Sequence, residues 1–104
     1  MKKAIVVEDD PRWRTRIAKI LEDEGYTVIK FTKYSDRVRS QVAQPNYHLL
    51  VVDLKLNHLE LGKNEGFEII SLARQKNVGI PVIIISGYID FDGKLVKKAF
   101  KEEY

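Results

Sequence analysis

Two stretches decide the fold of this chain: Ala4-Ile5-Val6-Val7-Glu8-Asp9-Asp10-Pro11 and Leu49-Leu50-Val51-Val52-Asp53-Leu54. Each is a short, wholly apolar run that stops abruptly on carboxylates. That is the pattern of a strand buried on both faces of a parallel sheet and delivering its charge to one edge. Carboxylates at two such ends are expected to meet. Two of them about 4 Å apart repel by roughly 4 kcal/mol at an effective dielectric of 20, a large share of a small domain's stability. The expected compensation is a hard divalent cation, because an all-oxygen site of carboxylates, a carbonyl and waters suits Mg²⁺ better than zinc or copper.

Outward from these runs, strand and helix alternate. Asp10 can cap a helix with Pro11 at its first position, and Trp13, Ile17, Ile20 and Leu21 then recur at helical spacing until Gly25. Thr27 to Phe31 is β-rich. A weaker helix from Ser35 to Gln44 follows, with Val38 and Val42 four apart and Pro45 as its stop. The run from Leu49 to Asp53 is the third strand. A helix from Gly66 to Gln75 takes its inner face from Phe67, Ile70 and Ala73 or from Ile69 and Leu72. The fourth strand is Pro81-Val82-Ile83-Ile84-Ile85-Ser86. The tail from Asp90 to Tyr104 reads as helix again, with Leu95, Val96, Ala99 and Phe100 inside. Short connections of this kind give right-handed crossovers and a parallel sheet covered on both faces. In such sheets ligands bind beyond the carboxyl ends of the strands, where the order 2-1-3-4 makes the first and third strands neighbours. Glu8, Asp9 and Asp53 occupy those ends.

Composition narrows the function classes. The 104 residues fit one domain, and 44% hydrophobic with 32% charged content is that of a globular chain. No apolar run approaches the roughly 20 residues that span a bilayer. Met1-Lys2-Lys3 and the four apolar residues after it make no signal peptide, so a cytoplasmic location is expected. The absence of cysteine excludes disulfides, thiolate metal sites and Cys nucleophiles. A net charge of +3 spread along the chain gives no indication of nucleic-acid binding. The densest basic stretch, Arg12, Arg14, Arg16 and Lys19, lies beside Glu22, Asp23 and Glu24 and reads as a solvated helix face.

Over essentially its whole length the chain resembles the bacterial response-regulator receiver domain. The likeness rests on Val-Val-Glu8-Asp9-Asp10-Pro11, on Val-Val-Asp53-Leu, on Gly66 opening the third helix and on Ile-Ile-Ser86-Gly87. It implies a flavodoxin-like, doubly wound α/β fold, in which Asp53 accepts a phosphoryl group from a phosphohistidine on a histidine kinase or phosphotransfer protein, or from a small acyl phosphate. It also implies Mg²⁺ (or Mn²⁺), with Asp9 as direct ligand, Glu8 holding a metal-bound water, Asp53 as both ligand and nucleophile, and the backbone carbonyl of Lys55 completing the protein's share. Asp10 is either a further acidic member of the site or only the helix cap. Ser86 would donate to a phosphoryl oxygen once Asp53 is modified, and Gly87 would leave room for that group to approach the backbone.

The chain also departs from the family pattern. A fifth strand and helix would be expected, the strand carrying a lysine that pairs with the phosphoryl group, and no residue matches it. The single domain, residues 1–104, therefore reads as a receiver that is incomplete at its C-terminus. Its fourth strand is then an uncovered apolar edge that invites self-association, besides any downstream effector. The loop from Leu54 to Gly66 is long, with Asn57 where a proline is common. Its His58, Glu60 and Glu65 read as solvated, and Lys55 as an exposed stem. Trp13 reads as core or core rim, Tyr34, Tyr47 and Tyr88 as packed with their hydroxyls at the surface, and His48 as having no paired ligand. Two alternatives remain: a receiver-shaped interaction module that is never phosphorylated, and a small Mg²⁺-dependent hydrolase. The second is weakened by the lack of a Gly-rich phosphate loop after the first strand.

Overall fold

The computed structural model describes residues 2–53, 65–89 and 95–102. Its elements run β1 (Lys2–Val7), α1 (Pro11–Asp23), β2 (Tyr26–Phe31), α2 (Asp36–Val42), β3 (Leu49–Asp53), α3 (Glu65–Lys76), β4 (Val82–Ile89) and β5 (Leu95–Glu102). The four parallel strands take the expected order 2-1-3-4, with β1 between β2 and β3. Register is fixed by the apolar runs: Ala4 to Val7 lie beside Leu49 to Val52, and Leu50 to Asp53 beside Val82 to Ile85.

The absence of alternation in β1 and β3 has its cause in the two faces. Ile5, Val7, Leu50, Val52, Val82 and Ile84 pack on one side with Val38 and Val42 of α2 and Ile69, Ile70 and Ala73 of α3. Ala4, Val6, Leu49, Val51 and Ile85 pack on the other with Leu21 and half-buried Ile17 of α1. Every side chain of β3 is buried, so no position in it has a solvent face to fill with a polar residue.

Helix α1 begins as the sequence implies. The Asp10 carboxylate accepts from the backbone N–H groups of Arg12 at 2.9 Å and Trp13 at 3.4 Å, with Pro11 at the first helical position. After its last turn Gly25 takes a positive φ of 94°, a conformation that a side chain would strain, and β2 starts at once.

Several expectations are overturned. The tail is not a helix: Leu95–Glu102 is a strand, antiparallel to β4, with Ile85 beside Ala99, Ser86 beside Lys98 and Gly87 beside Lys97. The β4 edge is therefore covered by the chain itself, and self-association through an uncovered β4 edge loses its basis. Ile20 on α1 and Phe67 on α3 are exposed rather than inward, because the contact stripes on the sheet are narrower than the apolar sets on those helices. On α3, Ile69, Ile70 and Ala73 form the inner face, with Leu72 partly buried against it. Tyr47 is buried with its hydroxyl inside, donating to the Val42 carbonyl at 2.8 Å. The reading of His48 as having no paired ligand is not among these: its Nδ1 accepts from the Lys3 backbone N–H at 3.1 Å, a structural bond. Lys55, Asn57, His58, Glu60 and the tail beyond Glu102 lie outside the described residues, as do the side chains of Glu65 and Tyr88.

Candidate metal centre

At the carboxyl edge of β1 and β3 the chain gathers three acids. Carboxylate oxygens of Glu8, Asp9 and Asp53 all lie within 4.8 Å of one another. The pairing of Val7 with Val52 sets the next residues, Glu8 and Asp53, side by side at the end of the ladder. Glu8 is 0% and Asp53 1% exposed, while Asp9 faces solvent. Two carboxylates at that depth are expensive to keep ionised.

The turn that carries two of the acids is held at several points. The Glu8 backbone N–H donates to the Phe31 carbonyl at 3.0 Å, extending the last rung between β1 and β2. One Glu8 carboxylate oxygen accepts from the Asp10 N–H at 3.1 Å. Arg14, reaching back from α1, donates through one guanidinium nitrogen to the Glu8 carbonyl at 3.0 Å and the Asp9 carbonyl at 3.3 Å. Arg14 is therefore half-buried in the turn, not part of a purely solvated face. The remaining cations of that stretch are surface groups: Arg16 lies over the Trp13 ring at 5.5 Å and Lys19 pairs with Asp23 at 3.8 Å. Trp13 itself is partly buried, at the core rim.

Asp10 stands apart from the cluster. Its carboxylate caps α1 and pairs with the Arg12 guanidinium at 3.3 Å. The Arg12 side-chain hydrogen bond, with the capping N–H groups, holds its carboxyl below the usual aspartate value against a smaller opposing effect of burial. Of the two roles open to Asp10 in the sequence, the geometry displays the cap.

A contact that sequence reasoning missed reaches the base of Asp53. The Tyr34 hydroxyl, expected at the surface, donates to the Asp53 backbone carbonyl at 2.9 Å. The partners are 19 residues apart and no local pattern connects them. Ser86 and Gly87 follow Ile85, the residue registered with Asp53, so β4 brings both to the same edge of the sheet. Lys55 falls outside the described residues.

The donor set fits a hard cation. Three carboxylates supply oxygen only, two from a rigid buried floor and one from the solvent side, which leaves coordination positions for water and a ligand, the arrangement Mg²⁺ favours. Among the described residues no helix is long and apolar enough to cross a membrane.

Comparison with known proteins shows the family. The family model described as the response regulator receiver domain matches residues 4–103. The chain is 32% identical over 102 residues to an uncharacterized transcriptional regulatory protein, YbdJ, of Bacillus subtilis, covering 98% of this chain and 42% of that protein. It is 34% identical over 86 residues to the response regulator RR06 of Streptococcus pneumoniae, covering 83% of this chain and 36% of that one. It is 29% identical over 84 residues to the nitrogen assimilation regulatory protein NtrX of Azorhizobium caulinodans, covering 81% and 18% respectively. The chain thus spans less than half the length of each of these relatives.

Proposed function

Because the chain belongs to the response-regulator receiver family, we propose that Asp53 accepts a phosphoryl group, and that this modification switches the contacts of the domain with an effector. The observation that carries this reading is the convergence of Glu8, Asp9 and Asp53 within 4.8 Å at the carboxyl ends of two neighbouring buried strands. A folded domain gains nothing in stability from such repulsion.

In the proposed reaction an Asp53 carboxylate oxygen attacks the phosphorus of a phosphohistidine on a histidine kinase or phosphotransfer protein, or of an acyl phosphate. A P–O bond to Asp53 forms as the bond to the donor breaks, and the donor leaves with the electron pair, taking a proton from solvent when it is an imidazole. Mg²⁺ (or Mn²⁺) bound by Asp9, Asp53 and, through a water, Glu8 would neutralise the charge shared by the acceptor carboxylate and the incoming group. The burial of Asp53 fixes its direction of approach, and the Tyr34 hydroxyl bond to its carbonyl holds the strand end behind it. Asp10 serves as the cap of α1 rather than as a ligand. Ser86 donates to a phosphoryl oxygen on the modified Asp53, with Gly87 giving access to the backbone. The domain is a cytoplasmic signalling acceptor that catalyses only its own phosphorylation and dephosphorylation.

Intact-mass and peptide-mapping mass spectrometry tests this after incubation with a small acyl phosphate, with and without Mg²⁺. The expected result is a single phosphoryl adduct at Asp53 that requires the cation and is lost in Asp53→Asn. No adduct under any condition would refute the reading and leave a module that binds partners unmodified.

A further inference from the structure

Arg14 turns back from the basic stretch into the acidic turn, and its two bonds go to the carbonyls of Glu8 and Asp9, consecutive residues of the carboxylate cluster. We propose that Arg14 is a positioning residue of the cation site: it fixes the two peptides that flank the Asp9 Cα, and with them the direction in which the exposed Asp9 carboxylate is presented. The inference rests on the cation reading given above.

The local bonding favours a positioning role. Glu8 is anchored by the rung to Phe31 and by the Asp10 N–H, and Asp10 by the cap and Arg12, so both ends of the three-residue turn have their own restraints. Asp9 lies between them, exposed, and its carbonyl is held by Arg14. One guanidinium nitrogen bonded to the carbonyls on both sides of the Asp9 Cα restrains the backbone rotation there, and the stiff planar group holds that nitrogen in place. Groups behind metal ligands commonly set affinity in this way, and their loss costs roughly 10- to 100-fold.

Electrostatics alone predicts the opposite sign, which makes the inference sharp. A fixed positive charge behind a cation site repels the cation, so deleting it should tighten binding. A positioning role predicts that deletion weakens binding, because Asp9 loses its orientation.

The experiment is a Mg²⁺ titration of the full chain, followed by Trp13 emission and by the Mg²⁺-dependent rise in melting temperature, for wild type, Arg14→Met, Arg14→Lys and Lys19→Met. Arg14→Met is expected to raise the Mg²⁺ dissociation constant about tenfold, the low end of the range for groups behind a ligand. Arg14→Lys, which keeps charge and a donor, is expected to stay within about threefold of wild type by the same scale. Lys19→Met removes an exposed charge of the same helix and should leave affinity unchanged. Unchanged or tighter binding by Arg14→Met overturns the proposal. So does a lower melting temperature in chelator with an intact Mg²⁺ response, which would mark Arg14 as merely structural. If wild type itself shows no Mg²⁺ response, the cation reading fails first and the proposal falls with it.

Discussion

The two ends of β3 follow opposite rules. At its amino end polar groups are matched one to one: the Tyr47 hydroxyl meets the Val42 carbonyl, the Asn77 side chain donates to the Tyr47 carbonyl at 3.2 Å, and the His48 N–H meets the Lys3 carbonyl at 2.8 Å. These bonds tie the ends of α2 and α3 and the start of β1 to one strand. At the carboxyl end, five residues further on, Asp53 is placed among other carboxylates instead. The same strand thus has one end where polar groups are paired for stability and one where carboxylates are gathered at a cost in stability.

That contrast can be broken by mutation. The largest effect is expected at the amino end, where Tyr47→Ala removes a buried ring and should cost about 3 to 5 kcal/mol. The loss should be equal in Mg²⁺ and in chelator by urea unfolding, and a Mg²⁺-dependent loss would mean that the two ends are coupled.

Alkaline pH tests the same end more gently. Burial pushes the Tyr47 hydroxyl up to about 12 from 10.0. The folded state therefore holds this proton longer than the unfolded one. Its contribution is complete below pH 10 and falls away as pH rises from 10 through 12, by about 3 kcal/mol at most. Comparing the pH dependence of unfolding with that of Tyr47→Phe isolates this contribution, and identical profiles would contradict the assignment.

At the carboxyl end the sign should reverse. Asp53→Asn in chelator is expected to raise stability by roughly 1 to 2 kcal/mol, a fraction of one carboxylate pair's repulsion. It should also shrink the gain that Mg²⁺ gives the wild type. A less stable variant in chelator would show that the acids are not crowded enough to repel. The smallest change is expected for Asp10→Ala, about 1 kcal/mol through the lost cap. Its Mg²⁺ affinity should stay near that of wild type, and a large loss of affinity would move Asp10 from cap to ligand.

Much of this architecture is legible in the order of amino acids alone. Val6-Val7-Glu8 and Val51-Val52-Asp53 announce both buried strands and the charged edge, because a strand covered on both faces has no place for polar residues until it ends. The Asp10-Pro11 start of α1 is equally plain. The tail is not: Leu95, Val96, Ala99 and Phe100 suit a helix by spacing, yet the strand edge presented by β4 supplies a ladder that local pattern does not register. Tyr47 follows Pro45-Asn46 and reads as a packed ring with its hydroxyl at the surface. Its burial depends on α2 and α3 closing over it, a fact of packing rather than of neighbours in sequence. The grip of Tyr34 on Asp53 and of Arg14 on the acidic turn are hidden for the same reason. Both are contacts to backbone carbonyls, for which side-chain patterns carry no mark.

The junction of β1 with β3 also bears on how the molecule is assembled. Lys3 and His48 meet across 45 residues of chain, whereas β4 and β5 close on each other through a short connection. Loop-closure entropy therefore falls most heavily on the β1–β3 pairing, and contact order predicts that such non-local steps set the folding rate. The acids come together only in that pairing. In the unfolded ensemble Glu8 and Asp53 are distant and indifferent to one another, so their repulsion is confined to states in which the central ladder has formed. If the ladder is complete at the folding barrier, a divalent cation will speed refolding. If it forms after the barrier, the cation will slow unfolding and leave the forward rate alone.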